Sequence, residues 1–505
     1  MTLAGMHYAS VESALPGSSG LPRVIHIEVA MKIGIPDFHL TGLAPSRARS
    51  ILDRVTCALQ MTGIRLNHRT VTLNVEGESD PRFQDLLDLP VAVALLQALG
   101  YPLPGLPGAR TAFIGKLALD GQVRLLQMPG RILAMADLLG FHSVLSHFPK
   151  TVPGIAHSSC PGQIVSLNAL FSPQRESISV RELESGKTRS SALDAAANSS
   201  RFRFSWKAMR AAVAASAGRH SLLCLGPPGS GKTTLAHVIY DLLPVANARE
   251  CREIYLRLPE SGGEAIRRPF RRPHHSVTRV AMIGGGSPIR AGEVTEAHNG
   301  LLLLDELGEF RRDVLQSLRE PLDSQIVHIS RGSDREVLPC SLWFVATANA
   351  CPCGMFGSAE ICKCSAGAVR QYQARMLGAL QDRMDMELFL ENSESVVSMN
   401  VVQVWYENLM QSQKDRWEDG FRYNAEVLDV ESFLFEDSHT DGEFDRITAG
   451  LSNRKKHRIR RLARSIADMS GAAWIQMEHL LEALRYTSAW NLTSQENAKV
   501  PSRSD

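Results

Sequence analysis

Polar and apolar residues partly alternate over residues 23–31 (RVIHIEVAM) and do so more cleanly over 69–77 (RTVTLNVEG), the period-two pattern of half-buried strands. Between them, PSRARSILDRVTCALQMTG carries helical spacing and stops at Gly63. DLLDLPVAVALLQALG is apolar at nearly every position, which predicts a buried helix ending at Gly100. TAFIGKLALDGQVRLL predicts a hairpin turning at Asp120 and Gly121. A mixed α/β domain is therefore expected over residues 1–171. The polar stretch 172–200, rich in Ser, Arg and Glu, reads as a linker. A second α/β pattern fills 201–390, and helical spacing dominates 391–505, as a helical lid and tail.

The second pattern carries chemistry at the ends of its apolar strands. SLLCL runs into GPPGSGKT and then the helical TTLAHVIYDLL. Gly226, Pro227, Pro228, Gly229, Ser230, Gly231, Lys232 and Thr233 fit the phosphate-binding loop G-x-x-x-x-G-K-[ST]. Its glycines let backbone N–H groups face phosphate oxygens, and the helix that follows adds its positive end. Lys232 would reach the β- and γ-phosphates of ATP, and Thr233 would ligate Mg²⁺, with Thr234 beside it in the nucleotide-binding set. NGLLLLDELGEF supplies a fully apolar strand that delivers Asp305 to the Mg²⁺ shell and Glu306 to the attacking water. LWFVATANA is a third such strand and ends at Asn349, placed to orient that water. Beyond the acid pair, Phe310, Val314, Leu315 and Leu318 share one helical face and should pack on the sheet.

Composition narrows the partners. Lys plus Arg number 55 against 53 Asp plus Glu, a net charge of +2, so any nucleic-acid contact must come from local basic patches. Two such patches exist, AIRRPFRRPHHSVTR and RKKHRIRRLARS. The first places Arg267, Arg268, Arg271, Arg272, His274 and His275 before a glycine run, which suits either gripping a phosphate backbone or contacting nucleotide and neighbouring subunits. In the second, Ile459, Leu462 and Ile466 follow helical spacing, and the basic residues read as a solvated helix face. No apolar run is long enough for a bilayer, the first twenty residues lack a signal-peptide pattern, and the nine cysteines form no disulfide framework, so a reducing, cytoplasmic setting without membrane partners is expected. Cys351, Cys353, Cys362 and Cys364 stand as two C-x-C pairs, open to two readings: a structural Zn²⁺ site or reduced thiols.

Loop, acid pair and strand-end asparagine, in that order, resemble AAA+ ATPases. The intervening RRPFRRPHHSVTRVAMIGGGSPIRAGEVTEAHNG, with CPCG, CKCS and LQDRMD after it, is similar to the magnesium-chelatase-related AAA+ family, and within it to the ComM (YifB-type) branch. The resemblance implies a parallel-sheet AAA+ core with a helical lid. It makes Arg383 a finger that reaches a neighbouring subunit's γ-phosphate and Arg454 a sensor on the lid, and it implies a hexameric ring. It casts the first basic patch as an insertion able to enter the ring's pore. GIPDFHLTGLAP, DLLDLPVAVALLQALG and IGKLALDGQVRLLQMPGRILAMADLLG resemble a Lon-protease-like domain. PRFQDLL has no serine, however, and MPGRILAMADLLG offers Arg131 and no lysine, so peptidase chemistry is not expected. The turn after Asn349 departs from the family pattern by carrying Ala350 in place of a proline, and the acidic, aromatic EVLDVESFLFEDSHTDGEFD makes the first part of the lid hard to place. The expected function is an ATP-driven motor acting on DNA without sequence preference, in recombination and uptake of foreign DNA. A protein remodeller and a chelatase-type motor subunit are the alternatives.

Overall fold

The structure, a computed structural model, describes residues 2–3, 6–17, 19–101, 110–149, 160–171, 204–257, 267–286, 289–331, 334–356, 361–378, 380–390, 396–417 and 421–487. The linker expected at 172–200 lies outside the described residues. Two compact units result: one formed by residues 1–185 with 246–267 and 286–290, the other by 186–245, 268–285 and 291–505.

In the first unit, β1 (Met6–Pro16), β2 (Pro22–Ile33), β3 (Asp37–Thr41) and β4 (Arg69–Glu76) join β5 (Thr111–Phe113), β6 (Ser143–Ser146) and β7 (Cys160–Gln163) in one mixed sheet of order β3-β4-β2-β1-β5-β6-β7. The short strand Thr2–Leu3 pairs with β1. Helix α1 (Pro45–Met61) ends where Gly63 takes φ 86°, and α2 (Asp88–Ala98) is almost wholly buried, as its apolar run requires. The hairpin expected at Asp120 and Gly121 is reduced to its turn and a single Leu117–Val123 bridge. Two backbone bonds flank that bridge, Ala118 N to Gln122 O at 2.9 Å and Arg124 N to Lys116 O at 2.8 Å, while Gly115 just before it exchanges bonds with Leu86 O and Leu89 N, both 2.9 Å, at the start of α2. α3 (Pro129–Leu138) carries Arg131, whose guanidinium lies 5.2 Å above the Phe83 ring. α6 (Ala248–Tyr255) belongs to this same unit, where Gly130 gives room to the Tyr255 ring and Arg252 pairs with Asp137 at 3.0 Å.

The second unit is built on five parallel strands. In chain order they are β8 (Leu222–Leu225), β9 (Phe270–Arg271), β10 (Leu301–Leu304), β13 (Trp343–Ala348) and β14 (Met386–Phe389), and across the sheet they run β9-β10-β13-β8-β14. A hairpin of β11 (Ile326–Arg331) and β12 (Asp334–Pro339) lies between β10 and β13 in the chain. β10 is Leu at all four positions and fully buried, the composition of a parallel strand covered on both faces. α4 (Trp206–Ala217) and α5 (Lys232–Asp241) flank β8, while α7 (Arg312–Ser317) and α8 (Arg319–Ser324) follow β10 with Phe310, Val314, Leu315 and Leu318 buried. α9 (Ala366–Leu377) precedes β14. The lid comprises α10 (Met399–Asp415), α11 (Ser438–Ile447), α12 (Asn453–Met469) and α13 (Met477–Tyr486), and its apolar side chains share one core with the sheet.

One expectation is overturned in the lid. The basic face of α12 is not solvated: Arg458, Arg460 and Arg464 are buried. Arg458 donates to Met384 O, Arg460 to Phe433 O, Arg461 to Val427 O, and Arg464 to the carbonyls of Ala472 and Ala473. Two of those carbonyls come from the acidic, aromatic segment before α11, which also offers Glu431 to Arg460 at 2.7 Å. Chain without regular structure must find donors for its carbonyls, and guanidiniums with five N–H groups meet that need. Asp468, fully buried, receives Arg464 Nε at 3.0 Å, Arg416 Nη2 at 2.5 Å and Asn424 Nδ2 at 2.8 Å. Arg464→Met should therefore lower stability by about 3 kcal/mol, because a buried carboxylate loses one of its two counter-charges and two backbone carbonyls lose their donor; urea unfolding of the variant against wild type measures it.

Candidate active site

The sheet order brings three strand ends together. β13 lies between β10 and β8, with Ala346 beside Leu304 and Ala348 beside Leu225. The residues that follow those strands, Asp305, Asn349 and Gly226, therefore line one rim of the sheet, where doubly wound folds place ligands. The glycine loop starts under steric constraint: a Cβ at Gly226 would sit 2.6 Å from Leu390 O. At its other end Gly231 takes φ 87° and caps α5, a conformation glycine adopts without cost. Thr234 is exposed on the first turn of α5.

Lys232 Nζ donates to Gly226 O at 2.8 Å, to Pro227 O at 2.7 Å and to Asn349 Oδ1 at 3.3 Å. Burial pushes its pKa below the usual lysine value, against the opposing pull of Cys224, Asp305 and Glu306. Thr233 Oγ1 approaches both Asp305 oxygens, at 3.1 and 3.2 Å. A hydroxyl and a carboxylate converging in this way form an all-oxygen donor set of the kind Mg²⁺ takes, with room for waters and phosphate oxygens to complete it. Glu306 is exposed, with φ 58°, an uncommon left-handed backbone for a residue with a side chain.

Thr347, unremarked in the sequence, ties these groups together. Its hydroxyl donates to Asp305 Oδ1 at 2.5 Å and accepts from Glu306 N at 3.1 Å. The signal was present, since Thr347 is the one polar position in the strand WFVATA. Arg272 Nη2 also reaches Asp305, at 2.5 Å, while Arg271 pairs with Glu293 at 2.8 Å. Arg268 is buried over the Trp343 ring at 4.5 Å and donates to Pro244 O and Asn299 O. Three arginines of the first basic patch thus serve the ATPase unit itself, and Arg272 does so at the acid pair.

Arg383 and Arg454 meet on one carboxylate. Asp323, at the end of α8, accepts from Arg383 Nη2 at 2.7 Å and from Arg454 Nη2 at 2.5 Å. Arg454 stands in the first turn of α12, and Arg458 on the same helix bonds the residue next to Arg383 through Met384 O. Nothing in the sequence marks Asp323 as their shared partner. The sulfurs of the two C-x-C pairs also converge: all four lie within 4.8 Å of one another.

A glycine loop, an acid pair and a polar strand end along a five-stranded parallel sheet, with helices as a lid, define a P-loop ATPase fold of the AAA+ type. Comparison with known proteins gives the lineage. Residues 203–397 match the family described as "Magnesium chelatase, subunit ChlI", residues 27–146 "Subunit ChlI of Mg-chelatase", and residues 401–487 "Magnesium chelatase, subunit ChlI C-terminal". The chain is 29% identical to the uncharacterized protein YifB of Escherichia coli over 92% of its length and 94% of that protein. It is 29% identical to the competence protein ComM of Haemophilus influenzae over the same shares, and 31% identical to an uncharacterized protein of Mycobacterium tuberculosis over 80% of its own length and 83% of that protein. The chain belongs to the magnesium-chelatase-related AAA+ family of ComM/YifB type. ATP and Mg²⁺ are the ligands this family implies, and the oxygen set at Thr233 and Asp305 fits the ion. No helix among the described residues is long and apolar enough to cross a membrane.

Thr347→Val keeps shape and removes the hydroxyl that links Asp305 to Glu306. Its loss should slow ATP turnover about tenfold, since one buried hydrogen bond is worth roughly 1–3 kcal/mol. Thr347→Ser should restore the rate; steady-state phosphate release checks both.

Proposed function

We propose that this chain is an ATP-hydrolysing ring motor that acts on DNA without sequence preference, driving translocation or branch migration in recombination and in uptake of foreign DNA. The observation that carries the reading is the near full-length likeness to a competence protein, ComM, joined to a complete acid-pair site.

In the proposed mechanism, the N–H groups of Gly229 to Thr233 and the Lys232 ammonium hold the β- and γ-phosphates. Thr233 and Asp305 would hold Mg²⁺, whose charge would offset that of the phosphate oxygens. Glu306 accepts the proton of the attacking water, and Asn349 orients that water. Arg383 serves the neighbouring protomer, which is why the motor is a ring: the finger of one copy completes the site of the next. Arg454 reports lid position to the same corner through Asp323.

The family's chelatase descriptions favour a second reading, a motor that works through partner subunits on a tetrapyrrole. Among the described residues, the internal roles of Arg268, Arg271 and Arg272 leave Arg267, His274, His275 and Arg279 as the accessible remainder of the first basic patch. DNA contact through it would rest on those four.

Lys232→Ala should abolish nucleotide binding, and Glu306→Gln should keep binding and stop turnover. Turnover in the Glu306 variant at the wild-type rate would refute the role of that carboxylate. Arg383→Ala should inactivate the protein alone, with activity regained in mixed assemblies with Lys232→Ala protomers. Forked or single-stranded DNA should raise the ATPase rate at low salt, with the effect falling as salt rises; a rate indifferent to DNA favours the chelatase-type or remodelling alternatives.

A further inference from the structure

The cysteine cluster is built into the nucleotide site. Cys351 is two residues beyond Asn349 and fully buried. Sulfur separations are 3.4 Å for Cys351–Cys353, 3.6 Å for Cys353–Cys362 and 3.6 Å for Cys362–Cys351, and Cys364 Sγ lies within 4.8 Å of the others. Disulfide sulfurs sit about 2 Å apart, so these are four separate thiols. A zinc ion with Zn–S bonds of about 2.3 Å at the centre of a tetrahedron sets sulfurs about 3.8 Å apart, close to the spacing here. Iron–sulfur clusters spread their cysteines over several irons and need wider spacing. The turn has further features of a metal knuckle: Phe356 N donates to Cys351 Sγ at 3.4 Å, and Gly354 N bonds Cys351 O at 3.1 Å with Gly354 at φ 78°.

What the knuckle touches gives it a use. A Cβ at Gly354 would meet Pro228 of the phosphate loop at 3.3 Å and Asn349 Nδ2 at 3.6 Å. On the far side of the thiols, Ser365 caps α9. From α9, Arg375 Nη2 donates to Gly308 O at 3.2 Å and Tyr372 packs so closely on Gly308 that no side chain fits there. Gly308 is two residues beyond Glu306.

We propose that Cys351, Cys353, Cys362 and Cys364 bind one Zn²⁺ ion, and that this thiolate knot is a brace that fixes Asn349 and Pro228 for ATP binding and turnover. The brace half of the proposal rests on the ATPase reading above; the metal half does not. Four deprotonated thiols packed this closely would repel one another, and a dication removes that cost. Removing the ion would leave the turn at residues 351–354, beside Asn349, held by hydrogen bonds alone.

The test uses the full chain purified under reducing conditions. Elemental analysis should find one zinc per chain, and Co²⁺ exchanged into the site should give the visible absorption of a tetrahedral thiolate complex. Cys353→Ser combined with Cys362→Ser should lose the metal and weaken binding of a fluorescent ATP analogue about tenfold, while Cys57→Ser changes neither. Gly354→Ala leaves all four thiols in place; it should keep zinc yet weaken the analogue several-fold, which separates the brace from general misfolding. A wild-type chain that holds no zinc and gives no thiolate–cobalt spectrum overturns the metal site. Zinc at full occupancy in the wild-type chain, with wild-type nucleotide affinity in the zinc-free double variant and in Gly354→Ala, overturns the brace. A chain that holds zinc but binds no nucleotide supports the ion and instead defeats the ATPase function.

Discussion

The carboxylate of Asp305 is the point on which the ATPase unit depends. It accepts from Thr233 on the helix after the glycine loop, from Thr347 on β13 and from Arg272 in the segment after β9. Three elements far apart in sequence are thereby registered on two oxygen atoms at the rim of the sheet. Such a hub holds only when the strands beneath it are in register, and the fully buried leucines of β10 and the apolar length of β13 supply that register. A low-dielectric floor under the carboxylate also strengthens each of these polar contacts relative to water.

Part of the positive charge of this chain lies inside the fold. Several arginines of α12 look in the sequence like an exposed basic surface, yet Arg460 and Arg461 bond backbone carbonyls of the lid segment before α11, and Arg458 bonds Met384 O beside β14. Arg219 and Arg268 lie 4.2 and 4.5 Å from the Trp343 ring at the start of β13. Cations committed to the interior in this way do not add to an exposed basic field.

The strand ends were legible because their chemistry is local. A glycine loop, an apolar strand ending in Asp-Glu and an apolar strand ending in Asn are each read within ten residues, and the sheet sets them side by side. Asp323 and Thr347 were not legible in the same way. Asp323 matters because α8 carries it to two arginines sixty and more residues later, and no spacing rule encodes that meeting. In the first unit β1 went unseen because HYASVESALP mixes small and polar residues without clean alternation; its pairing with β2 along all eleven residues makes it a strand. The burial of α12 was missed because helical spacing marks the apolar stripe but not the partner that covers the remaining face. The acidic, aromatic segment that made the lid hard to place is that partner.

The last strand has a consequence for how the protein is made. Leu390 N donates to Leu225 O at 2.7 Å, and Leu390 O stands close against Gly226, so the floor beneath the glycine loop is finished by β14. A chain emerging from the ribosome displays β8 and its loop long before the residues that wall them in. Until residue 390 is released, β8 keeps one unpaired edge of four apolar residues, the kind of exposed template on which nascent chains stick together. Chaperone protection during that interval, and vulnerability of truncated products, follow from the sheet order alone.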